Sequence, residues 1–135
     1  MGILFICTHN ACRSILCEVM AREMAGSRLR VASAGSHPAG KIHPLTLEYL
    51  KVHDYSTEGL FSKSLDEVES FDPDVVITVC DSAAQESCPV WLNGVDRLHW
   101  GLVDPTAVEG SGPVKQVAFD RLIRTIRSRM QALLD

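Results

Sequence analysis

Apolar residues along this chain alternate between short unbroken runs and stretches with helical spacing, and that alternation predicts the elements. Gly2 to Ile6 reads as a short buried strand. From Ser14 to Ala25 the apolar Ile15, Val19 and Met24 recur among Glu18, Arg22 and Glu23, the spacing of a helix that Gly26 ends. Leu29 to Ala32 is a second strand, closed by Gly35, and His43 to Val52 a second helix with Leu47, Tyr49 and Leu50 among its apolar positions. Ser64 with Glu67 has the spacing of a capping box for a brief helix, which Pro73 must follow rather than join. Val75-Val76-Ile77-Thr78-Val79 is the clearest strand, β-branched and apolar on both faces, as suits a central parallel strand. Val95 to His99 is a fourth. Beyond a Gly/Pro-rich loop, Pro113 opens a long terminal helix, with Val117, Ile123, Ile126, Met130 and Leu133 expected inward and Arg121, Arg124, Arg127 and Arg129 outward.

Strand and helix alternate throughout, which predicts an α/β fold on a small parallel sheet. No repeat, linker or low-complexity stretch interrupts it, so residues 1–135 are expected to form a single domain. Right-handed crossovers leave few arrangements. With strand one central, strand two on one side and strand three on the other, the switch point falls between strands one and three. Ligands bind outside the carboxyl ends of strands at such a point.

Composition narrows the class. An apolar fraction of 46% with 22% charged residues is that of a water-soluble globular chain, and 135 residues can bury a core without staples. The net charge of −4 disfavours nucleic acid or an anionic membrane as partner. No run of about eighteen apolar residues exists to span a bilayer. Met1-Gly2-Ile3-Leu4-Phe5-Ile6 lacks the basic start of a signal peptide, and Ile6 stands where N-myristoylation needs Ser or Thr. The expected location is the cytoplasm, where structural disulfides are rare, so five cysteines point to nucleophilic or redox chemistry.

The strand ends carry that chemistry. Cys7 follows strand one, Cys80 follows strand three, Asp104 comes shortly after strand four, and Ser33 and Gly35 follow strand two. Neighbouring strands lie about 4.8 Å apart, which brings Cys7 and Cys80 nearly within disulfide reach. Between strand one and helix one runs Cys7-Thr8-His9-Asn10-Ala11-Cys12-Arg13-Ser14. A loop curling into a helix start can aim successive backbone N–H groups at one centre, an anion nest reinforced by the helix dipole. Such a field makes a cysteine at its base available as thiolate. Arg13 can grip two oxygens of a tetrahedral oxyanion with its planar fork, and the Ser14 hydroxyl can donate to the Cys7 sulfur. Read as structure alone, Cys7 and Arg13 would be an accident of a short pattern, which the placement between strand and helix disfavours.

That loop resembles the active-site loop of the low-molecular-weight tyrosine phosphatases and of the arsenate reductases that share their fold. Ser33-Ala34-Gly35 after strand two and Asp104-Pro105 in the place of the phosphatase general acid extend the resemblance over essentially the whole chain. It implies a four-stranded parallel sheet flanked by helices, with Thr8 through Ser14 binding the oxyanion. Within the family, phosphatases follow the Asp-Pro pair with aromatic residues, whereas Thr106-Ala107-Val108 follow it here. Val79-Cys80-Asp81, Ser87-Cys88-Pro89-Val90-Trp91 and His99-Trp100-Gly101-Leu102 resemble the arsenate reductase branch. That branch implies Cys7 attacking arsenate, Arg13 and the loop amides stabilising the oxyanion, and Asp104 protonating the departing oxygen. Cys80 then attacks Cys7 to release arsenite, and Cys88 moves the disulfide outward once the segment from Asp81 to Ser87 rearranges.

The resemblance implies no tightly bound cofactor but an external thiol reductant, thioredoxin or glutathione with glutaredoxin. Seven residues between Cys80 and Cys88 exceed the interval usual in thioredoxin-coupled members, which leaves the donor open. Some relatives hold a potassium ion, for which Asn10, Glu18, Ser33 and Asp66 are the matching set. Other residues carry blander alternatives. Cys17 reads as a buried small apolar side chain. Cys12 either fills the back of the loop or pairs with Cys7 in a protective disulfide, and His9 points to solvent at the rim. Cys80 as a buried strand end and Cys88 as a surface thiol are the structural alternatives to the relay. An arylphosphate phosphatase and a non-catalytic oxyanion binder or phosphocarrier remain the other functional readings, and a monomer is expected.

Overall fold

A computed structural model describes residues 1–85 and 92–135. Four parallel strands, β1 (Gly2–Cys7), β2 (Arg30–Gly35), β3 (Val75–Thr78) and β4 (Asp96–His99), form one sheet in the order β2-β1-β3-β4. β1 is central with β2 and β3 on its two sides, the arrangement that puts the switch point between β1 and β3, and β4 lies beyond β3. Register runs from Gly2 opposite Arg30 to Cys7 opposite Gly35 on one side of β1, and from Ile3 opposite Val75 to Ile6 opposite Thr78 on the other. β1 is buried at every position, as its unbroken apolar run requires.

The helices are α1 (Arg13–Ala25), α2 (Pro44–Val52), α3 (Asp81–Gln85) and α4 (Gly112–Leu134). α2 starts where its sequence dictates: Pro44 takes the first turn, and His43 caps it by accepting the Leu45 N–H on Nδ1 at 3.1 Å. Ser64 and Glu67 form the expected reciprocal box, with Ser64 N–H donating to Glu67 Oε2 at 2.7 Å, ahead of the short 3₁₀ turn Asp66–Phe71. α3 is a helix the apolar pattern does not announce, because five residues are too few to show a period. No helix among the described residues is long and apolar enough to cross a membrane.

α1 packs on β1, β2, α2 and α4 and is buried nearly all round. Glu18, grouped by the helical pattern with the polar Arg22 and Glu23, is therefore inside, only 5% exposed. α4 buries Ile123, Ile126 and Met130 as expected, together with Phe119 and Leu122, and its four arginines face out. Val117 departs from the expectation and is exposed, since the stripe that meets α1 and α2 runs through Phe119. The Phe119 ring stacks on Tyr49 of α2 with centroids 4.4 Å apart, and His53 Nε2 meets Asp120 Oδ1 at 2.9 Å beside it.

This α2–α4 contact holds the helix whose start anchors the loop after β1. Phe119→Ala should lower the unfolding free energy by about 3–5 kcal/mol in urea titration, the usual loss for a fully buried phenyl ring. A loss below about 1 kcal/mol would mean that this layer does not support the core.

Candidate active site

The segment between β1 and α1 takes its shape from where its carbonyl groups go. Thr8 O accepts from His37 N–H at 2.8 Å, and His9 O from Ala39 N–H at 2.9 Å and the Ser62 hydroxyl at 3.1 Å. Ala11 O accepts from His43 N–H at 3.0 Å and the Thr46 hydroxyl at 3.1 Å. Flanking segments thus draw the carbonyls outward, and an N–H turns in: Asn10 donates its amide to Cys7 Sγ at 3.1 Å. The path needs a left-handed residue, and Asn10 supplies it with φ of 47°. It also needs no side chain at Gly35, where a Cβ would sit 2.6 Å from Thr8 O and 3.0 Å from Asn10 N. α1 starts at Arg13 with no side-chain cap and no acidic residue in its first turn, leaving its first N–H groups for an anion.

Hydrogen bonds converge on the Cys7 sulfur and on the serine beside it. Asn10 Nδ2 donates to Ser14 Oγ at 2.8 Å and to Ser33 Oγ at 3.0 Å. Ser14 Oγ lies 2.9 Å from Cys7 Sγ, and when Cys7 reacts as a thiolate, which can only accept, the hydroxyl is the donor of that bond. Arg13 is held above by Leu102 O at 3.1 Å, and its other terminal nitrogen lies 3.8 Å from Asp104 Oδ2. Asp104 Oδ1 is occupied by the Thr106 N–H and hydroxyl at 2.9 and 2.7 Å, which leaves Oδ2 towards the arginine. Cys7, His9, Ala11, Cys12, Arg13, Ala39, His43, Asp104 and Thr106 line a cavity of about 210 Å³, and among the described residues no Phe, Tyr or Trp stands in its wall. A thiol below, amide and guanidinium donors around and a carboxylate at the mouth suit a tetrahedral oxyanion.

Of the residues singled out by sequence, the structure gathers Cys7, Asn10, Arg13, Ser14, Ser33 and Asp104. It places His9 exposed at the rim and Cys80 buried level with Thr8, one residue beyond Cys7, with its Sγ 3.6 Å from Thr8 Oγ1. Cys88 lies outside the described residues. Burial pushes the Cys12 thiol from its ordinary 9.0 up to about 12, and the Cys17 thiol well above it, so neither is a thiolate near neutral pH. His43, Thr106 and Lys63 also belong to the site. His43 showed in the sequence only as the first residue of a helix and Thr106 only as a non-aromatic residue after the Asp-Pro pair, and nothing near Lys63 in the sequence distinguishes it from a surface lysine.

The residues matched to a potassium ion do not fit one. Asn10 Oδ1 accepts the Lys63 N–H at 2.7 Å, and Glu18 Oε1 accepts the Ser33 hydroxyl at 2.5 Å. Glu18 faces Lys63 Nζ at 3.4 Å and Arg22 at 2.9 Å, while Asp66 is exposed and does not join them. The place for a cation beside Glu18 is filled by side chains.

A doubly wound parallel sheet whose first strand delivers a cysteine into an arginine-closed anion loop defines a class of cysteine-dependent oxyanion sites. The chain belongs to the low molecular weight phosphotyrosine protein phosphatase family, whose sequence profile matches residues 2–135. It is 32% identical over 129 residues to an arsenate reductase of Bacillus subtilis, covering 96% of this chain and 91% of that one. It is 38% identical over 109 residues to an arsenate reductase of Staphylococcus xylosus, covering 81% and 82%. Among solved structures, a thioredoxin-dependent arsenate reductase of Corynebacterium glutamicum superposes with a TM-score of 0.73 at 34% identity, over 98% of this chain. The chain spans 59% of that longer protein.

The site makes a prediction for thiol reactivity. A thiol at about 12 is ionised in fewer than about one molecule in ten thousand at pH 7.5, whereas Cys7 Sγ lines the cavity at the base of the loop, where a small reagent can meet it. Iodoacetamide at that pH should label Cys7 at least about tenfold faster than Cys12 or Cys17, read by peptide mass mapping. Labelling of Cys12 first would contradict the described burial.

Proposed function

We propose that this chain reduces arsenate to arsenite with a thiol relay of Cys7, Cys80 and Cys88. The observation that carries the reading is a second buried thiol, Cys80, level with the loop that holds Cys7. A hydrolytic phosphatase returns its cysteine with water and has no use for it. The lack of an aromatic side chain among the described residues that line the cavity supports the same choice, because none of them offers an aryl phosphate a ring to stack on. So do the names of the relatives, although the family profile itself is named for a phosphatase.

Arsenate is close to phosphate in shape and charge and binds the nest for the same reasons. The Cys7 thiolate attacks arsenic, forming a sulfur–arsenic bond, while Arg13 and the loop amides hold the oxygens and Asp104 gives a proton to the oxygen that leaves as water. The Cys80 thiolate then attacks Cys7 Sγ. The pair of electrons in the sulfur–arsenic bond goes to arsenic, which leaves as arsenite, and a Cys7–Cys80 disulfide remains. Cys88 attacks Cys80, Cys7 departs as thiolate ready for the next turn, and an external dithiol reduces the Cys80–Cys88 bond. Thioredoxin is the donor favoured by the Corynebacterium relative, and the need for reduced thiols supports a cytoplasmic location.

Arsenate-dependent NADPH oxidation with thioredoxin and its reductase tests the reading, with a glutaredoxin arm run separately. Turnover should be lost in Cys7→Ser. Cys88→Ser should release about one arsenite per enzyme and stop with a Cys7–Cys80 disulfide seen by mass mapping. Sustained turnover of Cys88→Ser with thioredoxin would remove Cys88 from the relay. Rapid arylphosphate hydrolysis without arsenate-dependent NADPH oxidation would make the protein a phosphatase.

A further inference from the structure

We propose that Lys63 is the built-in cation of the Cys7 loop, a positioning residue whose ammonium group does the work of a bound monovalent metal ion. The inference rests on Cys7 as the reactive thiol. It starts from Glu18, a carboxylate only 5% exposed inside α1. A buried carboxylate is stable only when its charge is matched and its lone pairs are used. Arg22, with more than half of its side chain exposed, meets Oε2 at 2.9 Å and is otherwise bound to Val31 O. Lys63 is the inner partner: its side chain is 10% exposed, and Nζ lies 3.4 Å from Oε1.

The rest of the ammonium shell is what a largely dehydrated cation would take. Nζ donates to Phe61 O at 3.0 Å and stands 4.7 Å from the centre of the Phe61 ring. A carboxylate, a carbonyl and an aromatic face surround one positive charge. The backbone of the same residue clamps the loop. Its N–H donates to Asn10 Oδ1 at 2.7 Å, and its carbonyl accepts from Gly35 N–H at 2.8 Å. The charge is thereby tied in fixed register to the residue that shapes the loop, which a free ion cannot be.

The effect reaches Cys7 through directed bonds. An ionised Glu18 requires the Ser33 hydroxyl as donor, at 2.5 Å. Ser33 must then accept from Asn10 Nδ2, which fixes the amide with Oδ1 towards Lys63 N–H and Nδ2 towards both serines. That orientation leaves the Ser14 hydrogen for the Cys7 sulfur. Without Lys63 only the half-exposed Arg22 faces Glu18, on the far oxygen; Oε1 loses its cation and competes less firmly for the Ser33 hydrogen, and the order of donors behind Cys7 loosens.

The test is the rate of Cys7 alkylation by iodoacetamide, followed by peptide mass, in potassium chloride and in tetramethylammonium chloride at equal ionic strength. Wild type should react at the same rate in both salts, within about twofold, and show the same thermal midpoint. Lys63→Ala, which opens space beside Glu18, should react about tenfold more slowly in tetramethylammonium and recover in potassium, the scale of a lost neighbouring charge. Lys63→Met, which fills the space without charge, should be slow in both. A wild type that needs potassium for full reactivity overturns the proposal without recourse to any variant, as does Lys63→Ala reacting normally in tetramethylammonium. Arsenate turnover measured alongside separates the two readings: salt-dependent alkylation without arsenate reduction would keep the role of Lys63 and remove only the proposed activity.

Discussion

Everything at the site depends on one buried amide. Asn10 is fully buried, adopts a left-handed backbone and uses its side chain for three hydrogen bonds, to Ser14, to Ser33 and from Lys63. A left-handed conformation costs a non-glycine residue about 1–2 kcal/mol, and asparagine is among the few that adopt it routinely. The network offsets that strain, and its result is local: the chain turns sharply enough for the Asn10 N–H to point back at the Cys7 sulfur. Gly35 and the outward-drawn carbonyls of Thr8, His9 and Ala11 complete the constraint.

Burial then sorts the cysteines into different roles. Cys12 and Cys17 sit where desolvation keeps the thiol protonated. Cys7 is buried too, yet donors converge on its sulfur. The position of Cys80 follows from register: Ile6 pairs with Thr78, Val79 N–H bonds Ile6 O, and the next residue falls beside Thr8. The sheet that stabilises the fold is therefore also the ruler that sets one thiol near another.

Much of this was legible in the sequence because it is written in local patterns. The apolar runs define β1 and β3, the Ser64–Glu67 spacing defines a turn start, and the loop motif stands where a strand meets a helix. What depends on tertiary partners was not legible. Glu18 has the spacing of a solvated position until α1 proves to be buried nearly all round. Lys63 sits in a short polar loop with no periodicity, and only the fold brings it to Glu18. Val117 fits the apolar stripe of α4 but falls beyond the surface that α1 and α2 cover. Three residues of the set matched to potassium do meet, and the lysine that stands beside Glu18 comes from a fourth segment that no local pattern links to them.

The central claim is that the Asn10 side chain, by fixing the loop, creates the oxyanion site. Titration calorimetry of inorganic phosphate against wild type and Asn10→Gly tests it most directly, because glycine tolerates the same backbone angle while deleting only the hydrogen bonds. Binding weakened by about tenfold or more, equivalent to roughly 1.4 kcal/mol or more, is the expected result. Equal phosphate affinity in the two proteins would contradict the account.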